Sequence, residues 1–411
     1  MPSRRPIVAL SLAFLLVLAG CGGPPDTTAR WSKSPDGDPN RTYTEDLDRI
    51  EVTGGNLTVD PNPVWEDLLA VRGIEADPPL SVDVDSPREG LDRDDPPAPG
   101  FRRALGVDAV NGSPSYLGYV EDPFTVHLSY QTATGDPVVA EYVLVHEYVH
   151  ITQFRVDAYE AVYDVVPATH DGVTAGRSVT EGAAEFVASR YADRHLPSSL
   201  PPSVGRNTSQ WRTRYVNASG ANRLSLMKYY FGFRYVERRI DDPENLSAVY
   251  RSPPRTTEEL IHANATDARY PPTLTLDHRP GEDGEWNQTA ERTRMGELFV
   301  RGVLGTELPE SQAAAGADGW GNDKRVALSN GDDRGYVWAL AFDDPANATE
   351  FTTAFEAYLT ASDGGPREAN GVRFRIERPR DDLVVLVFGD ESFREAATVD
   401  APQDGYVTVE T

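Results

Sequence analysis

The chain has 411 residues, enough for one large domain with appendages or for two domains. Its 65 acidic residues against 39 basic ones give a net charge of -26, which excludes a nucleic-acid binder, because phosphate recognition needs a basic footprint. A mean hydropathy of -0.46 with 39% hydrophobic residues describes a polar surface over a buried core, and only three of the basic residues (Lys33, Lys228, Lys324) are lysine. That acid excess suits high salt, where screening removes the self-repulsion of such a surface.

The N-terminus reads as an export signal. Arg4 and Arg5 precede "PIVALSLAFLLVLAG", an apolar run of 15 residues. That is short for a membrane span of ~30 Å but right for a signal peptide. The run ends in Leu18-Ala19-Gly20-Cys21, a lipobox pattern in which Cys21 becomes the lipidated first residue, and the paired arginines fit twin-arginine export. The alternative is an uncleaved anchor with an incidental cysteine. Cys21 is the only cysteine, so no disulfide forms within one chain and no metal site is built on thiolates. Residues 22–60, rich in Gly, Pro, Asp, Thr and Ser, read as a flexible tether. These segments place the mature protein on the outer face of the cell membrane, held by its lipid. N-x-S/T sequons at Asn40, Asn56, Asn207, Asn217, Asn245, Asn264, Asn287 and Asn347 fit an exported chain.

From residue 61 the pattern becomes globular. "VWEDLLAVRGI" (64–74) has helical spacing, and "LSVDVDS" (80–86), "YLGYV" (116–120) and "FTVHLSY" (124–130) read as strands. The longest helical run is "DPVVAEYVLVHEYVHITQFRVDAY" (136–159). A loop containing Pro167 and Gly172 leads to a second helix that begins at a Ser178 cap, "SVTEGAAEFVASRYADR". Further helices are expected in "RLSLMKYYFGFRYVERRI" (223–240), "TTEELIHA" (256–263) and "RTRMGELFVRGVLG" (292–305). The last hundred residues alternate strands, "GYVWALAF", "VRFRIE" and "DLVVLVFG", with the helix "ATEFTTAFEAYL". "GWGNDK" (319–324) reads as a tight glycine turn around a packed Trp320, in preference to a substrate contact. The expected class is α+β: a first domain over 61–275 and a C-terminal α+β region over 276–411 packed on it.

Within the long helix stands HEYVH, residues 146–150. Histidines four apart project from one helical face and can share one Zn²⁺. The glutamate after the first histidine sits beside that face, where it can take a proton from water. His146 and His150 are therefore candidate ligands and Glu147 the candidate base. The bland reading is two histidines on an amphipathic helix. A metzincin would carry Gly and His three and six residues after His150; those positions hold Gln153 and Val156, which excludes that class. Glu181 in "VTEGAAEF" is the leading third ligand, with Glu185, His170 and Asp171 as alternatives. Ser178-x-x-Glu181 is also a capping box, in which Glu181 would bond back to the Ser178 amide.

With HEYVH and "TEGAAEF" together, the stretch 137–195 resembles the gluzincin metallopeptidases, among them thermolysin and the zinc aminopeptidases. The resemblance implies a zincin-like fold with a small mixed sheet, Zn²⁺ held by His146, His150 and Glu181, and Glu185 orienting His146. It implies an oxyanion-stabilising Tyr or His downstream, for which Tyr229, Tyr230 and His262 are candidates, although the Tyr229/Tyr230 stripe also has core spacing. Two departures stand out. Glu181 follows His150 by 31 residues, a longer interval than the family's usual one, and Thr180 replaces the usual asparagine. "VHEYVHITQF", "TEGAAEFVASRYAD" and "GWGNDKRVAL" also look like blocks of exported, haloarchaeal-type zincin-like lipoproteins. The implied activity is zinc-dependent hydrolysis of peptides or proteins. The competing class is a non-catalytic zincin-like surface lipoprotein with a binding or envelope role.

Overall fold

The structure, a computed structural model, describes residues 49–85, 100–107, 117–198, 201, 205–218, 220–262, 273–281, 285–362 and 367–411. Cys21 and the export signal lie outside the described residues. The fold is α+β, with three small sheets and helices packed against them.

The first sheet is mixed, in the order Glu51–Thr53, Ser81–Val84, Thr125–Leu128, Gly118–Val120, with only the last strand antiparallel to its neighbour. Val82, Val84, Val126 and Leu128 point to the core, while Asp83 and His127 point away, the alternation of a half-buried sheet. The expected tether therefore ends earlier than residue 60: Ile50 is buried in this core and Glu51–Thr53 pairs with Ser81–Val84. Two β-branched residues in "EVT" offer enough pleat-filling side chain for an edge strand.

Against the sheet lies the HEYVH helix, Pro137–Arg155, started by Asp136, whose carboxylate accepts from the Val138 amide at 2.9 Å, and by Pro137 in the first turn. It is buried from Tyr142 to Gln153, so it carries apolar residues all round rather than on one stripe. Trp65 of helix Pro61–Arg72 meets Tyr148 edge-on at 5.1 Å.

The second expected helix is longer than the sequence suggested. It spans His170–His195 and starts at Thr169, whose hydroxyl accepts from the Gly172 amide. Ser178 is interior; its hydroxyl donates to Thr174 O at 2.8 Å. Gly172, read as a loop residue, sits in the first turn because a Cβ there would collide with the Pro167 carbonyl. The expected loop before Ser178 also contains a short helix, Ala158–Tyr163. We refer to His170–His195 as the glutamate helix. Helix Gly220–Glu237 crosses it at a glycine pair: any side chain on Gly182 or Gly232 would run into the other helix's backbone.

The C-terminal region is built on a six-stranded antiparallel sheet, Asn287–Thr293, Trp320–Asn330, Asp333–Phe342, Leu383–Gly389, Val372–Arg380, Glu368–Ala369. The run "LVVLVF" is unbroken because both faces are covered: Val384, Leu386 and Phe388 face helix Pro345–Ala361, while Val385 and Val387 face the three-stranded sheet formed by 398–410 and Thr275–Arg279. Two boundaries need correction. Phe101, of the expected first domain, packs into this second core against Phe299, Trp338 and Phe388. The helix expected over 292–305 begins only at Glu297, since Gly296 (φ +93°) takes a conformation that ends the preceding strand's connection. In "GWGNDK" Gly319 (φ +70°) turns and Trp320 is fully buried as expected, but residues 320–324 are strand.

Candidate metal centre

Three side chains from two helices converge in the first core. His146 Nε2 and His150 Nε2 lie 3.2 Å apart, and Glu181 Oε2 is 3.5 Å from the first and 3.7 Å from the second. All three residues are buried, Glu181 to 1% exposure, and they form a group able to hold a metal ion. Donors about 2.0–2.1 Å from one tetrahedral ion stand about 3.3–3.4 Å apart, so the observed triangle has the right size.

The atoms behind the triangle fix what its front presents. His146 Nδ1 lies 3.1 Å from Glu185 Oε1, at ion-pair distance but not aligned as a hydrogen bond. Because a carboxylate only accepts, this neighbour favours the tautomer with the proton on Nδ1. Glu185 is itself held by the Tyr142 hydroxyl at 2.8 Å. His150 Nδ1 lies 2.8 Å from Gln153 Oε1. The Gln153 amide nitrogen donates to Thr180 O at 2.9 Å, which orients the amide so that its oxygen meets the ring. In each neutral ring, then, Nε2 bears a lone pair aimed into the triangle. Glu181 Oε2 is buried and accepts no hydrogen bond. Three electron pairs pointing at one another are mutually repulsive unless a cation sits between them. The residues fit a divalent metal.

The other carboxylate oxygen is treated differently. Glu181 Oε1 is 3.0 Å from Lys228 Nζ and 3.9 Å from Arg177 Nε. Burial opposes the charge on Glu181, but the Lys228 ammonium outweighs it and holds the carboxyl well below the usual range. Glu147 is buried against Gly118 of the sheet's last strand: a Cβ on Gly118 would lie 2.9 Å from Glu147 Cγ. Among the described residues no strand pairs with the outer edge of Gly118–Val120.

The remaining sequence candidates separate. The Tyr229 ring stands 6.3 Å from that of His146 and stacks on Trp211. Tyr230 packs on Tyr215 and Phe231, in the core role its spacing allowed. His262 pairs with Glu297 at 3.0 Å, a hydrogen bond that raises its pKa, and so belongs to another cluster. Asp171 is occupied by Thr257 and Arg294, and His170 Nδ1 faces Met295 O, so neither joins the triangle. Sequence reasoning missed Gln153, used only to exclude a family, although three residues past His150 it must share that face. It also missed Lys228 and the partly exposed group Asp83, Asp85 and His127 on the outer side of the first sheet.

A family model described as Domain of unknown function (DUF8575) matches residues 286–406, the C-terminal sheet region, and leaves the triangle outside the match. No curated protein and no solved structure matches the chain. Among the described residues no helix is long and apolar enough to cross a membrane.

Proposed function

We propose that the chain is a zinc-dependent peptidase, exported and held at the outer membrane face through a lipid on Cys21. The observation that carries the reading is the convergence of His146 Nε2, His150 Nε2 and Glu181 Oε2; Glu147, next in sequence to His146, is buried against Gly118. Neutral nitrogen donors with one carboxylate suit Zn²⁺ and leave a coordination position open, the arrangement of a hydrolytic rather than a structural site. When bound, the ion would supply Lewis acidity, polarising a carbonyl and acidifying water.

The chain's own groups supply the rest. Glu147 takes the proton from the attacking water and returns it to the departing amine. The outer edge of Gly118–Val120, unpaired among the described residues, offers backbone N–H and C=O groups to an extended peptide, which would lie along the strand next to Glu147. Tyr229, beside His146, is the nearest of the three candidates for holding the developing oxyanion. The low-dielectric surroundings strengthen each of these interactions.

One substitution separates binding from chemistry. Glu147→Gln keeps shape and should retain one zinc per chain while losing about 10²–10⁴-fold in turnover. Metal analysis and cleavage of a broad peptide library, on the same preparations in molar salt, provide the test. A wild-type protein that holds zinc and cleaves nothing overturns the peptidase reading in favour of a binding role. A wild-type protein that holds no divalent metal overturns the metal centre.

A further inference from the structure

Lysine is scarce in this chain, three among 39 basic residues, yet one of the three stands at the metal centre. Its position follows from the helix crossing. Gly182 and Gly232 bring the backbones of the glutamate helix and helix Gly220–Glu237 into contact. Lys228 is four residues before Gly232, one turn along the same face, just as Glu181 is adjacent to Gly182. The crossing therefore drives the Lys228 ammonium against Glu181. It is held there from two sides, by Glu181 Oε1 at 3.0 Å and by the ring of Tyr229, 4.6 Å from Nζ to the centroid.

The two oxygens of Glu181 thus have separate duties. Oε1 faces cations, Lys228 and at longer range Arg177, whereas Oε2 faces the two imidazole nitrogens. A carboxylate with both oxygens unengaged could swing to offer either one, or both together. With Oε1 held, a single oxygen is presented at one angle. The compact ammonium suits this place: a guanidinium is a planar fork that prefers to engage both oxygens at once, which would turn Oε2 away from the histidines. An Arg-rich chain keeps lysine where a point charge is required.

We propose that Lys228 is a positioning residue for the metal, holding Glu181 Oε1 so that Oε2 alone completes the donor set with His146 and His150. The proposal rests on the metal-centre reading above. It extends that reading to a cation that does not touch the ion and to a coordination number.

The test uses the full chain in molar salt, with Co²⁺ and Zn²⁺ as probes. Affinities come from chelator competition and coordination from the visible spectrum of the Co²⁺ form, whose bands are intense at four-coordinate and weak at five-coordinate sites. Lys228→Met is expected to bind both ions about 10–100-fold more weakly, the usual cost of removing a group that orients a ligand. Its Co²⁺ bands should also lose intensity as Glu181 offers both oxygens. Lys228→Gln reads the same quantities if Lys228→Met does not fold. Lys228→Arg, keeping charge but presenting a fork, should recover part of the affinity without the wild-type spectrum. Wild-type affinity and an unchanged Co²⁺ spectrum in a folded neutral variant overturn the proposal, whatever happens to thermal stability. Failure of the metal-centre reading shows elsewhere, as a wild-type chain that takes up neither ion.

Discussion

Of the three buried carboxylates on the glutamate helix, Asp171 and Glu181 stand ten residues apart and are furnished in opposite ways. Asp171, in the first turn, receives the Thr257 amide at 2.8 Å and hydroxyl at 2.6 Å on one oxygen and faces Arg294 Nε at 3.0 Å with the other. Close by, Asp323 accepts from the Met295 and Gly296 amides and from the Trp338 indole. Glu181 instead turns one oxygen toward two imidazole nitrogens that are themselves lone-pair donors. A buried carboxylate whose oxygens all meet N–H, O–H or a cation is a piece of architecture, here a clasp between the glutamate helix and the C-terminal region. One that leaves an oxygen facing other lone pairs is a ligand site. Burial alone does not distinguish them; the character of the facing atoms does.

The largest effect that could break this contrast is all-or-none. His150→Ala removes one of three donors and should drop metal content from one ion per chain to none, with the fold retained. Removing Asp171 should do the reverse. Asp171→Ala removes the carboxylate that faces the buried Arg294 guanidinium at 3.0 Å, which costs about 3–5 kcal/mol. The melting temperature should fall while the folded fraction keeps its metal. If Asp171→Ala instead empties the site at temperatures where the chain stays folded, the two carboxylates are not independent and the contrast fails.

The clasp also has a pH signature, because neighbouring residues are shifted in opposite directions. Burial, aided by the positive charge of Arg102, lowers His170 from 6.5 to about 4, so the unfolded chain binds more protons between those values and stability rises with pH there. Burial raises Asp171 from 3.8 to about 6 despite Arg294, so the folded chain binds more protons and stability falls over nearly the same window. Each amounts to about 3 kcal/mol, and they offset one another. Thermal melts of chelator-treated protein between pH 4 and 6.5 should show the consequence. Relative to wild type, His170→Phe should lose stability as pH rises through that window, and Asp171→Asn should gain it. Parallel profiles for all three proteins would show that the pair does not titrate as its burial dictates.

How far the sequence revealed these sites follows from how local each determinant is. His146, His150 and Glu147 lie within one turn of helix, so spacing alone placed them on adjoining faces. Glu181 was legible through its neighbours: Gly182 inside a helix signals a close approach, and the structure supplies one at Gly232. The start of that helix was not legible, because Gly172 is a poor helix former and only the nearby Pro167 carbonyl explains its presence. Ser178-x-x-Glu181 imitated a capping box for the same reason, that local pattern does not see two preceding helical turns. Lys228 and the clasp to Arg294 and Asp323 were hidden, since they depend on pairings tens to more than a hundred residues apart.

The finest distinction lies within HEYVH itself, between the residues proposed to bind metal and the residue proposed to react, and Gly118 tests it most gently. A methyl group there would sit 2.9 Å from Glu147 Cγ and 2.9 Å from Leu128 Cδ2. Both neighbours are side-chain atoms, so Gly118→Ala can be accommodated by small shifts at a cost of about 1–3 kcal/mol in stability. The shift falls on Glu147, which lies outside the His146, His150 and Glu181 group, and leaves the Nε2 and Oε2 atoms of the triangle in place. Metal content should therefore stay at one ion per chain and the Co²⁺ spectrum should not change. Proton transfer depends on a hydrogen-bond distance, and a displacement of 1 Å can cost about 10²-fold. A few tenths of an ångström should lower turnover by about 10-fold or less, with little change in KM if peptide still pairs with the strand's outer edge. Loss of metal from Gly118→Ala would mean that Glu147 shares in holding the ion, and its assignment as the proton carrier would have to be given up.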